Sequence, residues 1–297
     1  MTSLALTLLA AATATATAAA HAPSVEVRPP RARPGEAVLV VVRGAAAPPA
    51  ASVAGRDLGF FQVRGGFAAV AGLPVETAAG PLDIAATVTP RGGGAAQQAR
   101  ATLEVVAPVF PHRDLEVAKR FVEPPAPEVQ QRIDADRAAF AQAFSRPAAP
   151  PLFAKGFALP RRAPITAHFG EERTMNETKR SQHYGTDLAG RVGDPVVAAN
   201  DGEVALVRDC WASGLSVVVS HGAGTYTTYF HLSRAAVREG ERVRRGQRLG
   251  LVGRSGRVTG PHLHWGVKVG DLYVDPESVV RLPFTALLGG GAKAVRR

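Results

Sequence analysis

The sequence predicts a mainly all-β protein in three parts: an N-terminal β-sandwich, a proline-rich linker with one helix, and a C-terminal antiparallel β domain. Three observations carry this. Short Val-rich stretches separated by Gly and Pro turns fill the first hundred residues, glycine punctuates residues 163 to 282 densely, and helical periodicity is confined to one segment between proline clusters. With 297 residues, 46% of them apolar, the chain can bury two ordinary cores.

Residues 1–22 contain no charged side chain, are apolar from Leu4 to Ala12, and end in Ala20-His21-Ala22, a small-x-small cleavage pattern. They are read as a signal peptide, which places the protein outside the cytoplasm, in the periplasm, outside the cell or at the cell envelope. No later segment is long and apolar enough to span a bilayer as a helix. Cys210 is the only cysteine, so no intramolecular disulfide can stabilise the exported chain. The net charge of +10 favours anionic envelope polymers. It does not indicate nucleic acid, because no recognition helix or aromatic RNA-binding motif accompanies it.

Residues 23–106 read as a small immunoglobulin-like sandwich, with strands at Ser24 to Val27, Ala37 to Val42, Leu82 to Val88 and Ala101 to Val106. Nothing there clusters His, Cys or acidic residues, so binding, spacing or autoinhibition is expected of it. The linker, 107–160, has prolines at 124 to 127 and 147 to 151 that bracket one helix. Val129 with Ile133, and Phe140 with Phe144, fall at i,i+4 spacing, while Glu128, Arg132, Asp136 and Arg137 occupy other faces. Residues 161–285 form the second β domain and 286–297 a basic tail.

Chemistry concentrates in this last domain. His183 and Asp187, and His262 and His264, are spaced by four and by two, and on extended chain each spacing puts both members on one face. His183, Asp187 and His264 make a first shell suited to Zn²⁺ with one position open for water. Zinc there would polarise a carbonyl and lower the pKa of bound water to roughly 7, which suits amide hydrolysis. No His-Glu-x-x-His helix supplies a glutamate as proton carrier, so histidine must serve. Alternation along Thr225 to His231 puts His231 on the face of Thr227 and Tyr229 with Phe230 opposite, and His262 shares a face with His264. His231 and His262 are therefore the catalytic candidates: proton acceptor, proton donor and oxyanion stabiliser, in an order that spacing does not decide. His221 is assigned a structural hydrogen-bonding role.

His183-x-x-x-Asp187, Tyr229-x-His231-Leu232 and Gly260-Pro261-His262-Leu263-His264-Trp265 together resemble the signature of the M23 family of LytM or lysostaphin-type peptidoglycan endopeptidases. Phe169-Gly170, Gly240-Glu241-Arg242-Val243 and Gly246-Gln247 resemble it too, so the likeness covers roughly Ala163 to Leu282. It implies a LytM-type catalytic domain, zinc on His183, Asp187 and His264, His231 and His262 as catalytic histidines, and hydrolysis of stem or cross-bridge peptides of peptidoglycan. Three rivals are weighed. A non-catalytic wall-binding regulator of another hydrolase would have little reason to keep all five site residues. A two-His-one-carboxylate iron oxygenase shares the ligand types but leaves two histidines over. A biotinyl or lipoyl carrier lacks a lysine in its hairpin turn, where Arg244, Arg245 and Arg248 stand. The domain order raises one further expectation, that the sandwich covers the cleft and keeps the enzyme latent.

Overall fold

The structure, a computed structural model, describes residues 22–145 and 150–288. All but Ala22 of the expected signal peptide and most of the expected basic tail fall outside these residues.

The N-terminal part is two sheets face to face. Strands Ser24–Arg28, Ala37–Arg43, Gly66–Gly72 and Phe61–Val63 pair in that order in one; Arg31–Ala32, Gln97–Val105, Gly80–Val88, Ala50–Val53 and Arg56–Asp57 form the other. The run Ala37–Arg43 (AVLVVVR) has no polar alternation, and the structure shows why: both faces are covered. Val38 and Val40 pack between the two sheets with Leu73, Ile84 and Leu103. Leu39 and Val41, pointing the other way by the period-two pleat, join Val267, Val274, Val279 and Phe284 of the C-terminal part in one core. Polar bonds fix the same contact. Ala37 N–H donates to Ser278 Oγ (2.9 Å), Asp275 N–H to Gly35 O (2.7 Å), and Arg281 pairs with Glu36 (2.9 Å).

The C-terminal part is organised around a ten-stranded sheet in which Thr186–Ala189, His262–Val269, Thr225–Ala235, Gly214–Ser220 and Gly202–Cys210 lie side by side. Leu188, Leu263, Tyr229, Trp265 and Val217 point into its core.

The expected linker is more structured than its prolines predict. His112–Leu115 pairs in parallel with Glu172–Met175, which in turn pairs with Lys179–Gln182, giving a three-stranded sheet beside the large one. The helix, Pro127–Phe144, packs Phe140, Ala143 and Phe144 on Leu206, Val218 and Tyr226. Asp136, read from the sequence as lying on another face, is buried: it accepts from Arg208 Nε (2.7 Å) and Trp211 N–H (2.8 Å). An acidic side chain is tolerated there because both carboxylate oxygens are satisfied. The expected tail boundary also moves, since Phe284–Leu288 is helical and Leu287 is buried in the core.

Because Leu39 belongs to a core shared by both parts of the chain, Leu39→Ala is expected to lower the unfolding free energy by about 2–5 kcal/mol. Denaturant titration of the full chain checks this; a loss within experimental error would mean that the two parts do not share a core.

Candidate metal centre and its cleft

Strand register assembles the site. Asp187 stands directly across from His264, and His264 directly across from Phe230, so three neighbouring strands each contribute one side chain to a single row. His183 reaches this row differently from the period-two expectation. It ends the ladder of the small sheet, its N–H donating to Glu171 O (2.9 Å), and the chain then bends at Gly185 before Thr186–Ala189 begins. The pair converges across a break, not along one strand. Gly185 is required by space: a Cβ there would meet His264 Nε2 at 2.5 Å and Trp265 O at 2.8 Å.

His183 Nε2, Asp187 Oδ1 and His264 Nδ1 lie 3.0 Å from one another in all three pairings. His183 donates its Nδ1–H to His168 O (2.9 Å), which leaves Nε2 a lone pair. A proton on His264 Nδ1 can serve at most two of the three contacts, and the third then sets the lone pairs of His183 Nε2 and Asp187 Oδ1 against each other. A cation at the centre satisfies all three. The 3.0 Å edges approach the roughly 3.3 Å ligand separation that bonds of ~2.0–2.1 Å to tetrahedral zinc require, so the donor set fits this metal.

The second oxygen of Asp187 is held from behind, where Arg173 Nη2 donates to Oδ2 (3.1 Å) and Arg173 Nε to Glu171 Oε1 (2.7 Å). Arg113 Nε pairs with Glu171 Oε2 (3.2 Å), so the chain of charges runs back to the strand His112–Leu115. Burial opposes ionisation of Asp187, but the contacts it makes with the His183 and His264 imidazoles hold its carboxyl well below the usual carboxylate range. His264 is lowered to about 4, chiefly by burial and against the pull of Asp187, so at neutral pH its ring is uncharged and able to bind a metal.

His231 and His262 stand beside this triangle, with ring centroids 5.0 Å apart and His262 Nε2 3.7 Å from Asp187 Oδ1. Both rings are oriented by one loop between Gly253 and Pro261. His231 donates Nδ1–H to Ser255 O and His262 donates Nδ1–H to Gly260 O, each at 2.9 Å, which leaves both Nε2 atoms as proton acceptors. Burial, then the neighbouring His262 and His264, push His231 down to about 3, so it too is neutral at pH 7.

The expected face of His231 needs correction. Its φ is +62°, a left-handed conformation costing an ordinary residue about 1–3 kcal/mol, and it breaks the alternation of the strand. Tyr229 and Thr227 therefore point into the core, where the Tyr229 hydroxyl accepts from Ala199 N–H (2.9 Å). Phe230 instead lines the cleft and lies parallel to the His264 ring at 5.2 Å. His221 is fully buried, with Nδ1 bonded to Asp201 O (2.7 Å) and Nε2 to Thr227 Oγ1 (2.8 Å).

All five candidates, His183, Asp187, His231, His262 and His264, line one cleft of about 340 Å³. Among the described residues, none before Arg113 lines it. The wall that the sequence assigned to the sandwich is built by Arg113, Leu115 and Val117 of the connecting segment, so the latency expected from the sandwich has no contact to support it. Sequence reasoning missed Arg173, Ser255 and the part played by the Gly260 carbonyl. The first is a lone arginine without a spacing partner, and the other two act through main-chain carbonyls that residue type does not reveal.

If Arg173 positions Asp187, Arg173→Met is expected to weaken zinc binding by about 10–100-fold with little change in fold. Competition with a chromophoric chelator measures this, and unchanged affinity would count Arg173 as packing only.

Comparison with known proteins agrees with this architecture. Residues 181–276 match the family model for peptidase family M23. Over 102 residues the chain is 46% identical to peptidoglycan DD-endopeptidase ShyA of Vibrio cholerae, an alignment covering 34% of this chain and 24% of that protein. Over 130 residues it is 42% identical to peptidoglycan DD-endopeptidase ShyC of the same organism, covering 43% of this chain and 30% of that one. The chain thus spans a quarter to a third of the length of these relatives. A crystal structure from Pseudomonas aeruginosa described as a peptidase M23 superposes with a TM-score of 0.61 at 28% identity, over 83% of this chain and 93% of that one. Residues 181–276, which match the family model for peptidase family M23, hold all five histidine and aspartate positions of the cleft.

Proposed function

We propose that the chain is an exported zinc-dependent endopeptidase that hydrolyses peptide cross-links or stem peptides of bacterial peptidoglycan. The observation that carries this is the 3.0 Å triangle of His183 Nε2, Asp187 Oδ1 and His264 Nδ1 with two further imidazoles fixed beside it. His183, Asp187 and His264 would hold the metal. Bound there, zinc supplies a Lewis acid for the amide carbonyl and a water activated near neutral pH. ShyA and ShyC, named for peptidoglycan DD-endopeptidase activity, support the substrate class.

The protein's own part is proton handling. With their Nδ1–H groups committed to Ser255 O and Gly260 O, His231 and His262 present Nε2 lone pairs to the cleft. Either can accept a proton from water, and once protonated can donate it to the leaving nitrogen or hydrogen-bond a developing oxyanion. His262 is the more accessible of the two, with His231 buried behind it, so it is assigned the proton transfer and His231 the oxyanion contact. The presence of all five groups, correctly oriented, favours an enzyme over a regulator built on the same fold.

Incubation of isolated sacculi with the zinc-loaded chain, followed by mass analysis of the fragments, tests the reading and reports the bond cut. His262→Ala is expected to lower the cleavage rate by about 10²–10⁴-fold while keeping roughly one equivalent of zinc. If the intact, zinc-loaded chain leaves every cross-link unchanged, the regulator reading takes its place.

A further inference from the structure

The loop that orients the two catalytic candidates also carries Arg257. Its position is fixed on both sides. Arg257 N–H donates to Ala212 O (2.7 Å), and Ser255 Oγ accepts from Leu215 N–H (2.9 Å) and donates to Leu232 O (2.8 Å). Gly256, at φ +73°, packs so closely on the Ala212 to Gly214 turn that a Cβ would lie 2.4 Å from Gly214 N.

Arg257 is half-buried and lines the metal cleft together with His231, His262 and His264. Among the described residues its guanidinium has no hydrogen bond and no ion pair, in contrast to the other two arginines of the cleft. Arg173 is held between Glu171 and Asp187, and Arg113 rests on Glu171. Three guanidiniums thus face two carboxylates, both already engaged, and a bound divalent cation would add to the surplus. Burial, and secondarily the charge of Arg173, lower the pKa of Arg257, the signature of a cation left without its counter-charge. Five donors in a planar fork suit one kind of partner above others, a carboxylate taken in bidentate fashion.

The cleft continues past Arg257. The same residue, with Phe230, Ala212 and Ser213, also lines a second cavity of about 370 Å³ floored by Ile133 and Phe140 of the helix and walled by Trp211 and Tyr273. Arg257 therefore borders both the metal cleft and this second cavity.

We propose that Arg257 binds a free carboxylate of the substrate close to the scissile amide, and so selects peptides that carry such a carboxylate over neutral ones. This rests on the endopeptidase reading and names the substrate class for it. Diaminopimelate cross-links fit, because the residue on the amine side of the D-alanyl amide bears a carboxylate one carbon from the scissile nitrogen. A glycine bridge has none at that place.

The test uses the full chain and two synthetic cross-linked peptides with a D-alanyl-diaminopimelate bond, one with that carboxylate free and one with it converted to the carboxamide. Steady-state cleavage by the zinc-loaded protein is expected to favour the free acid by about 10–100-fold in kcat/KM, mostly through KM. In Arg257→Met the preference should fall to near unity, and Arg257→Lys should recover part of it, both with wild-type zinc content and thermal unfolding. Calorimetric titration of the metal-free wild-type chain with the same peptides gives a second reading, in which the free acid binds more tightly. Cleavage of both peptides at equal rates, or a preference that survives in a folded Arg257→Met, overturns the proposal. Cleavage of neither peptide with the binding preference intact would overturn the endopeptidase reading and leave the carboxylate site standing.

Discussion

Everything in the cleft depends on where three imidazole protons go. His183, His231 and His262 each give their Nδ1–H to a main-chain carbonyl, of His168, Ser255 and Gly260 respectively, all at 2.9 Å. A histidine left to itself exchanges tautomers and spins about χ2; one bonded to a fixed carbonyl has a single lone pair pointing one way. Three such lone pairs are aimed into one volume, and burial keeps two of the four cleft rings, His231 and His264, uncharged at neutral pH. Ligation and proton transfer both require unprotonated imidazole. The fold meets that need with backbone atoms that no side-chain substitution can remove.

The scaffold places those carbonyls by two devices. One is register: Asp187, His264 and Phe230 stand abreast on adjacent strands, so the distances between them follow from interstrand spacing. The other is local strain relieved by packing. His231 adopts φ +62°, and its N–H donates to Ser213 O (2.9 Å), closing the same turn that Gly256 and Ser255 press against. A left-handed histidine is unfavourable alone. Here it turns the ring out of the strand's alternation and into the cleft beside Phe230.

Much of this could be read from residues in order, and the failures share a cause. The β character, the single helix and the shared face of His262 and His264 were legible, because glycine punctuation, i,i+4 apolar pairs and short even spacings are local signals; His183 and Asp187 do meet, but across the bend at Gly185 and not by the spacing that predicted it. The face of Tyr229 and Phe230 was misread because strand alternation presumes every residue extended, and one left-handed residue reverses it. Asp136 was placed outside because charge alone argues for solvent; its burial depends on Arg208 and Trp211, more than seventy residues away. The strand His112–Leu115 was hidden among prolines, since its partner Glu172–Met175 supplies the pairing. Long-range partners decide such cases, and a single sequence does not name them.

The strand Ala37–Arg43 has a consequence for how this molecule can be inherited. Its alternate residues belong to two cores, one inside the sandwich and one shared with the peptidase half, so this strand has no side built for water. A sandwich moved to another protein by recombination would carry Leu39, Val41, Ala68 and Val70 with it as an exposed oily patch, and the half left behind would lose the cover over Val274 and Phe284. The two halves are therefore not interchangeable parts. They form a unit whose sequences must drift together.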